Sequence, residues 1–233
     1  MADDLQLRLD ELTDNPTARV PVCLALDISG SMVGPKMVEL NAAIKSFFDT
    51  VTNDEMASIS AEIAVVTFGG SVAKILDFAG IERQKVPVFS ANGATPMGEA
   101  VCLSLDLLDQ AKRVYSQMGV DYFQPWLVLM TDGEPTDDIA PAVERCRELV
   151  SKHKLTVFPI AIGKDANLNK LGIFSPNLSP LRMESTDLRR FFKWLAMSIS
   201  GASLSNPGDK EAASFGENAF KKATVDWHTG FNS

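Results

Sequence analysis

"VPVCLALDISGSM", residues 20–32, runs almost unbroken through apolar residues and then turns abruptly to a carboxylate and hydroxyls. A short continuous apolar run marks a strand covered on both faces, the situation of a parallel sheet packed between helices. The alternation Asp27-x-Ser29-x-Ser31 lets three oxygen-bearing side chains turn the same way, and Gly30 is expected to relieve the turn. A nucleophile needs a nearby base, and a turn needs one capping oxygen. A metal ion needs several oxygens at once.

Outward from this strand the pattern alternates. From Pro35 the spacing becomes helical, with Met37, Leu40, Ile44, Phe47, Phe48 and Val51 on one stripe, and Pro35 suits a first helical turn. "AEIAVVTF" (61–68) reads as the next strand, Gly69-Gly70 as a hairpin signal, and "SVAKILDF" (71–78) as an antiparallel edge strand. A loop ending in "SANGATPM" (90–97) leads into a helix from about Met97 to Gln117. "WLVLMTD" (126–132), "LTVFPIAIG" (155–163) and "PLRME" (180–184) are further strands. Helices fall between and after them, striped by Ile139, Val143, Cys146 and Val150, and by Leu188, Phe191, Leu195 and Ile199. The expected fold is α/β: a doubly wound, mostly parallel sheet with one antiparallel edge strand and helices on both faces.

In such sheets the functional crevice lies beyond the carboxyl ends of the strands, where strand order reverses. Asp27 and Asp132 each end a strand, and neighbouring strands about 4.8 Å apart would bring their loops together. Thr95 precedes a helix in a Gly-containing loop and can reach the same crevice. Asp27, Ser29, Ser31, Thr95 and Asp132 would then supply two carboxylates and three hydroxyls. These are hard oxygens, suited to Mg²⁺, which takes one or two carboxylates and keeps waters; Mn²⁺ is the alternative. Neutral hydroxyls leave such an ion short of charge and open to an outside acidic ligand.

The chain's 233 residues, 45% hydrophobic and 22% charged, are ordinary for a globular protein. A formal net charge of −8 argues against a nucleic-acid surface, which needs clustered Lys and Arg. No apolar run reaches transmembrane length, and the acidic first residues do not read as a signal peptide, so a cytoplasmic location is expected. The three cysteines stand singly, without metal-ligand spacing, and are expected to be buried free thiols.

Asp27-Ile28-Ser29-Gly30-Ser31, Thr95 in "GATP" and Asp132 in "TDG" resemble the DxSxS, Thr and Asp elements of the von Willebrand factor type A (vWA) domain. The resemblance covers roughly residues 18–200 and implies that these five residues form a metal-ion-dependent adhesion site. "ARVPVCLALDISGSMVG", "IAVVTFGG", "GATPMGEAV" and "PWLVLMTDGEPTD" are most similar to bacterial TerY-like proteins of tellurium-resistance clusters. That resemblance implies a protein kinase and a PP2C-type phosphatase as partners, in a stress or phage-defence system. Some relatives carry a cysteine-rich module after the domain, a pattern not found in this sequence.

An enzyme is the weaker expectation. Mg²⁺-dependent phosphatases of the haloacid-dehalogenase type resemble DxD at the first motif, whereas Ser29 stands where the second Asp would act as general acid. His153 and His228 are the only histidines; His153 belongs to a helix C-terminus, where it can interact with the dipole. No glycine-rich phosphate loop is present. Asp137 or Asp138 is expected to cap the helix near Ile139, and Thr95 could itself be a helix cap. The domain plan is a helical lead-in over 1–17, a vWA domain over 18–200 and an extension over 201–233. Ser205 to Lys210 reads as a linker, with Phe215, Phe220, Trp227 and Phe231 folding back onto the domain.

Overall fold

The sheet has six strands in the order β3-β2-β1-β4-β5-β6, all parallel except β3. They are β1 (Val20–Asp27), β2 (Ala61–Gly69), β3 (Ser71–Leu76), β4 (Trp126–Thr131), β5 (Thr156–Ile162) and β6 (Leu181–Met183). This computed structural model describes residues 2–207 and 210–229, with side chains for 8–207 and 214–225. The helices are α1 (Ala2–Asp14), α2 (Pro35–Thr52), α3 (Glu55–Ser60), α4 (Met97–Met118), α5 (Ala140–Ser151), α6 (Leu168–Gly172), α7 (Leu188–Ser203) and α8 (Lys210–Thr229).

The period of two along β1 divides the core. Val22, Leu24 and Leu26 face the layer formed by Leu40, Ile44 and Phe47 of α2 and Phe191, Phe192 and Leu195 of α7. Cys23 and Ala25 face Val101, Leu105 and Leu108 of α4 and Cys146 of α5. Every residue of β1 is buried, which is why its sequence reads as a continuous apolar run rather than an alternation. The chain winds from β1 to β2 and β3 on one side, then crosses to β4 on the other. The reversal therefore lies between β1 and β4, where Leu26 pairs with Met130.

The other end of the sheet carries a buried charge cluster. Glu62, at the start of β2, accepts hydrogen bonds from Arg8 Nη2 and Tyr115 Oη, both at 2.8 Å, and its other oxygen lies 3.4 Å from Arg19 Nε. Arg19, 1% exposed, also donates to the carbonyls of Thr17, Ile59 and Asn15. A charge is buried at tolerable cost only when paired and hydrogen-bonded, and here three donors converge on one carboxylate. Arg8 comes from α1, so this cluster and buried Leu12 fasten the leading helix to the sheet.

The linker expected over Ser205 to Lys210 falls between α7 and α8, with residues 205–207 irregular, and Phe215 and Phe220 fold back onto the domain as expected; the difference is that the tail is helical. α7 runs on to Ser203, and α8 fills most of the extension. Phe220, 1% exposed, packs against Phe158 and Trp194 at ring-centroid distances of 5.2 and 5.6 Å. Gly216 lies against the Trp126 ring, where a Cβ would come within 2.7 Å of the indole. Phe215 is half-buried against the same layer, while the side chain of Trp227 and all of Phe231 lie outside the described residues. Of the three cysteines, Cys23 and Cys146 are buried, and burial pushes both thiols up to about 12. Cys102 is only partly buried, packed against the edge of the α4 layer, rather than fully buried as expected.

Candidate metal centre

At the reversal point the strand ends bring Asp27 and Asp132 together, both essentially inaccessible to solvent. Asp27 ends β1; its Oδ1 accepts from the Ser29 N–H at 2.7 Å and its Oδ2 from Thr131 Oγ1 at 2.5 Å. Ser29 Oγ lies 3.0 Å from Ser31 Oγ, which donates to Asp132 Oδ1 at 2.6 Å. Asp132 Oδ2 accepts from Lys36 Nζ at 2.5 Å. One connected polar network thus joins both strand ends to the start of α2.

Thr95, 6% exposed, enters from the third loop. A Cβ built on Gly133 would lie 3.6 Å from Ser31 Oγ and 4.0 Å from Thr95 Oγ1, so the two hydroxyls border the same small space. The Thr95 backbone is fixed on both sides: its N–H donates to Thr136 Oγ1 and its carbonyl accepts from the Thr136 N–H. Thr95 does not cap α4. Pro96 holds the cap position, and Asp137 accepts from the Gly98 and Glu99 N–H groups. Asp138 serves α5, accepting from the Ala140 N–H at 2.9 Å.

The loops are locked to one another through backbone. The Asn92 N–H donates to the Ile28 carbonyl at 2.7 Å, Gly30 N–H to Gly93 at 2.9 Å, and Gly70 N–H to Ala94 at 2.8 Å. Gly93, with φ of 73°, approaches Gly70 so closely that a Cβ there would sit 2.3 Å from the Gly70 Cα. Gly30, by contrast, does not adopt positive φ, and a Cβ on it would meet Gly93 at an ordinary 3.5 Å. The turn after Asp27 therefore does not depend on the glycine freedom expected of it.

The donor set fits a small, hard divalent cation. Two buried carboxylates and three hydroxyls are oxygen ligands of the kind such ions select. Burial pushes the Asp27 carboxyl above its usual range and the Asp132 charge adds to this, while the bonds from Ser29 and Thr131 oppose it. A bound cation would favour the ionised form of both acids. Among the described residues no group of three or more His, Cys, Asp or Glu could hold a metal, so an ion here would depend on the hydroxyls.

Sequence reasoning missed Thr131, Thr136, Lys36 and the Gly70–Gly93 contact. Thr131 was findable once β1 and β4 were placed side by side, since Leu26 opposite Met130 sets Asp27 level with Thr131.

A family model for the von Willebrand factor type A domain matches residues 22–189. The chain belongs to that family. Its six-stranded sheet with one antiparallel strand is the vWA fold. Similar solved structures include the vWF domain of the type V pili tip protein Mfa5 from Porphyromonas gingivalis (14% identity, TM-score 0.57), covering 82% of this chain and 98% of that one. Manganese-loaded TRAP from Plasmodium vivax is 18% identical, with a TM-score of 0.55, over 76% of this chain and 74% of that one. Proximal thread matrix protein 1 from the mussel byssus, solved with zinc in its MIDAS motif, is 17% identical with a TM-score of 0.52. That match covers 78% of this chain and 48% of the mussel protein, so the present chain spans about half its length. No curated protein sequence matches. Among the described residues no helix is long and apolar enough to cross a membrane.

Proposed function

We propose that this vWA domain is a metal-dependent protein-binding module rather than an enzyme. Asp27, Ser29, Ser31, Thr95 and Asp132 would hold Mg²⁺, with Mn²⁺ as a substitute, and a Glu or Asp of another protein would complete the coordination. The observation carrying this reading is the convergence of two buried carboxylates and three hydroxyls at the reversal between β1 and β4. The metal-loaded TRAP and byssus structures support it by analogy of fold. The ion would supply a Lewis-acidic point of attachment, and the protein's part is to fix the oxygens around it.

From the TerY-like motifs we further propose a bacterial stress-response or phage-defence setting in the cytoplasm, with a protein kinase and a PP2C-type phosphatase as partners. A Mg²⁺-dependent phosphohydrolase is the competing reading, and Ser29 at the general-acid position weighs against it.

Calorimetric titration with Mn²⁺ tests the site. Asp27→Ala should abolish measurable binding while leaving the circular dichroism spectrum intact, because the substitution removes one of only two charged ligands. Affinity capture from the host with Mg²⁺ or with chelator tests the partner. Capture indifferent to chelator makes the domain a structural scaffold; hydrolysis of p-nitrophenyl phosphate, lost in Asp27→Ala, makes it an enzyme.

A further inference from the structure

Lys36 is the charged group in this network that lies outside the five-residue motif. It stands in the first turn of α2, with Nζ 2.5 Å from Asp132 Oδ2 and 3.4 Å from the Ser31 carbonyl. Its stem passes Gly163 at the end of β5, where a Cβ would lie 3.8 Å from Lys36 Cε. The side chain is 28% exposed while that of Asp132 is fully buried, so the ammonium closes the outer side of the carboxylate. Asp132 thereby divides its two oxygens, Oδ1 toward Ser31 and Oδ2 toward Lys36.

We propose that Lys36 is a fixed positive charge of the metal centre, which weakens the hold on the ion and makes the loaded site select an anionic ligand. The inference rests on the metal reading above and deepens it. The charge count is simple. Among the groups joined in this network, Asp27 and Asp132 contribute −2; Glu134, Asp137 and Asp138 keep their charges but turn their oxygens to Asn167, the start of α4 and α5, and are outside the count. A divalent ion brings the centre to zero, and Lys36 takes it to +1. The N-terminal end of α2 adds partial positive charge in the same place. A carboxylate arriving at the ion then neutralises the whole assembly, whereas a neutral ligand such as water or an amide leaves the excess charge uncompensated. On a protein with a net charge of −8, this local reversal of sign would let an acidic residue approach.

Two substitutions separate charge from packing. Lys36→Met keeps most of the stem, and Lys36→Arg keeps the charge. Coulomb repulsion between an ammonium and a dication about 6 Å apart in a water-like dielectric corresponds to about a tenfold change in affinity. In Mn²⁺ calorimetry, Lys36→Met should bind about tenfold more tightly than wild type, and Lys36→Arg within about twofold of it. On the Mn²⁺-loaded proteins, paramagnetic broadening of ¹³C-acetate should show weaker acetate binding in Lys36→Met than in wild type. Equal Mn²⁺ affinity in wild type and Lys36→Met, or weaker affinity in the variant, overturns the role of Lys36 alone. Unchanged acetate binding overturns the anion-selecting part. Failure of the wild type to bind Mn²⁺ overturns the metal reading, and this one with it.

Discussion

Replacing Glu62 with Gln keeps the side-chain volume but removes the carboxylate on which Arg8, Arg19 and Tyr115 converge, and puts an amide NH2 where one of its oxygens faces donors. Arg8 and Arg19 would then face each other around a neutral amide. Breaking a buried ion pair from one side costs about 3–5 kcal/mol. Two features place this case at the lower end. Arg8 is 11% exposed and can reach water, and Arg19 retains three backbone carbonyl acceptors. The expected loss is about 3 kcal/mol, which for a chain of this length lowers the melting temperature by roughly 6–12 °C. Urea unfolding followed by circular dichroism measures it, with an unchanged m-value showing that the folded state keeps its compactness. Because Glu62 and Asp27 lie at opposite ends of the sheet, Mn²⁺ affinity should stay the same in this variant. A loss below about 1 kcal/mol would refute the claim that the carboxylate fastens α1 by its charge.

Two more outcomes follow from the packing. Phe220→Ala empties the space between Phe158 and Trp194 and should cost about 3–4 kcal/mol if α8 is integral to the fold; chemical denaturation that leaves the midpoint where it was would show α8 to be dispensable. Burial, reinforced by the Glu62 charge, holds the Tyr115 hydroxyl well above its usual range despite the opposing pull of Arg8 and Arg19. The unfolded chain releases this proton near pH 10 while the folded chain keeps it, so stability is intact below about pH 10 and falls as pH rises beyond it. Tyr115→Phe should flatten that alkaline decline, and parallel pH-stability curves for the two proteins would contradict the assignment.

The inner strands β1, β2, β4 and β5 were legible because they are buried on both faces and so carry apolar runs that no helix stripe imitates, whereas the exposed β3 was legible from the Gly69-Gly70 turn before it. The metal residues were legible because Asp27, Ser29 and Ser31 interrupt such a run at its end. What escaped was set by contacts between distant segments. α8 buries only a narrow stripe, Gly216, Phe220 and Ala223 among the described residues, and with Gly216 in its interior it reads as irregular chain. α3 is a six-residue helix, begun by Asp54 accepting from the Met56 and Ala57 N–H groups, too short for a periodic signal. Lys36 looks like any first-turn lysine until Asp132, 96 positions later, is placed beside it. The tight pass of Gly93 by Gly70 belongs to neither local pattern: each glycine alone reads as a turn.

The edges of the sheet limit how another chain can join it. β6 pairs over only three residues, and β3 is interrupted where Ile75 drops out of register opposite Val65 and Val66. Lys74, paired with Asp77, places charge on that same border. Short, kinked and charged borders discourage the addition of a foreign strand. Recognition through a continued backbone ladder is therefore disfavoured on both flanks, and a visiting protein must be read by its side chains.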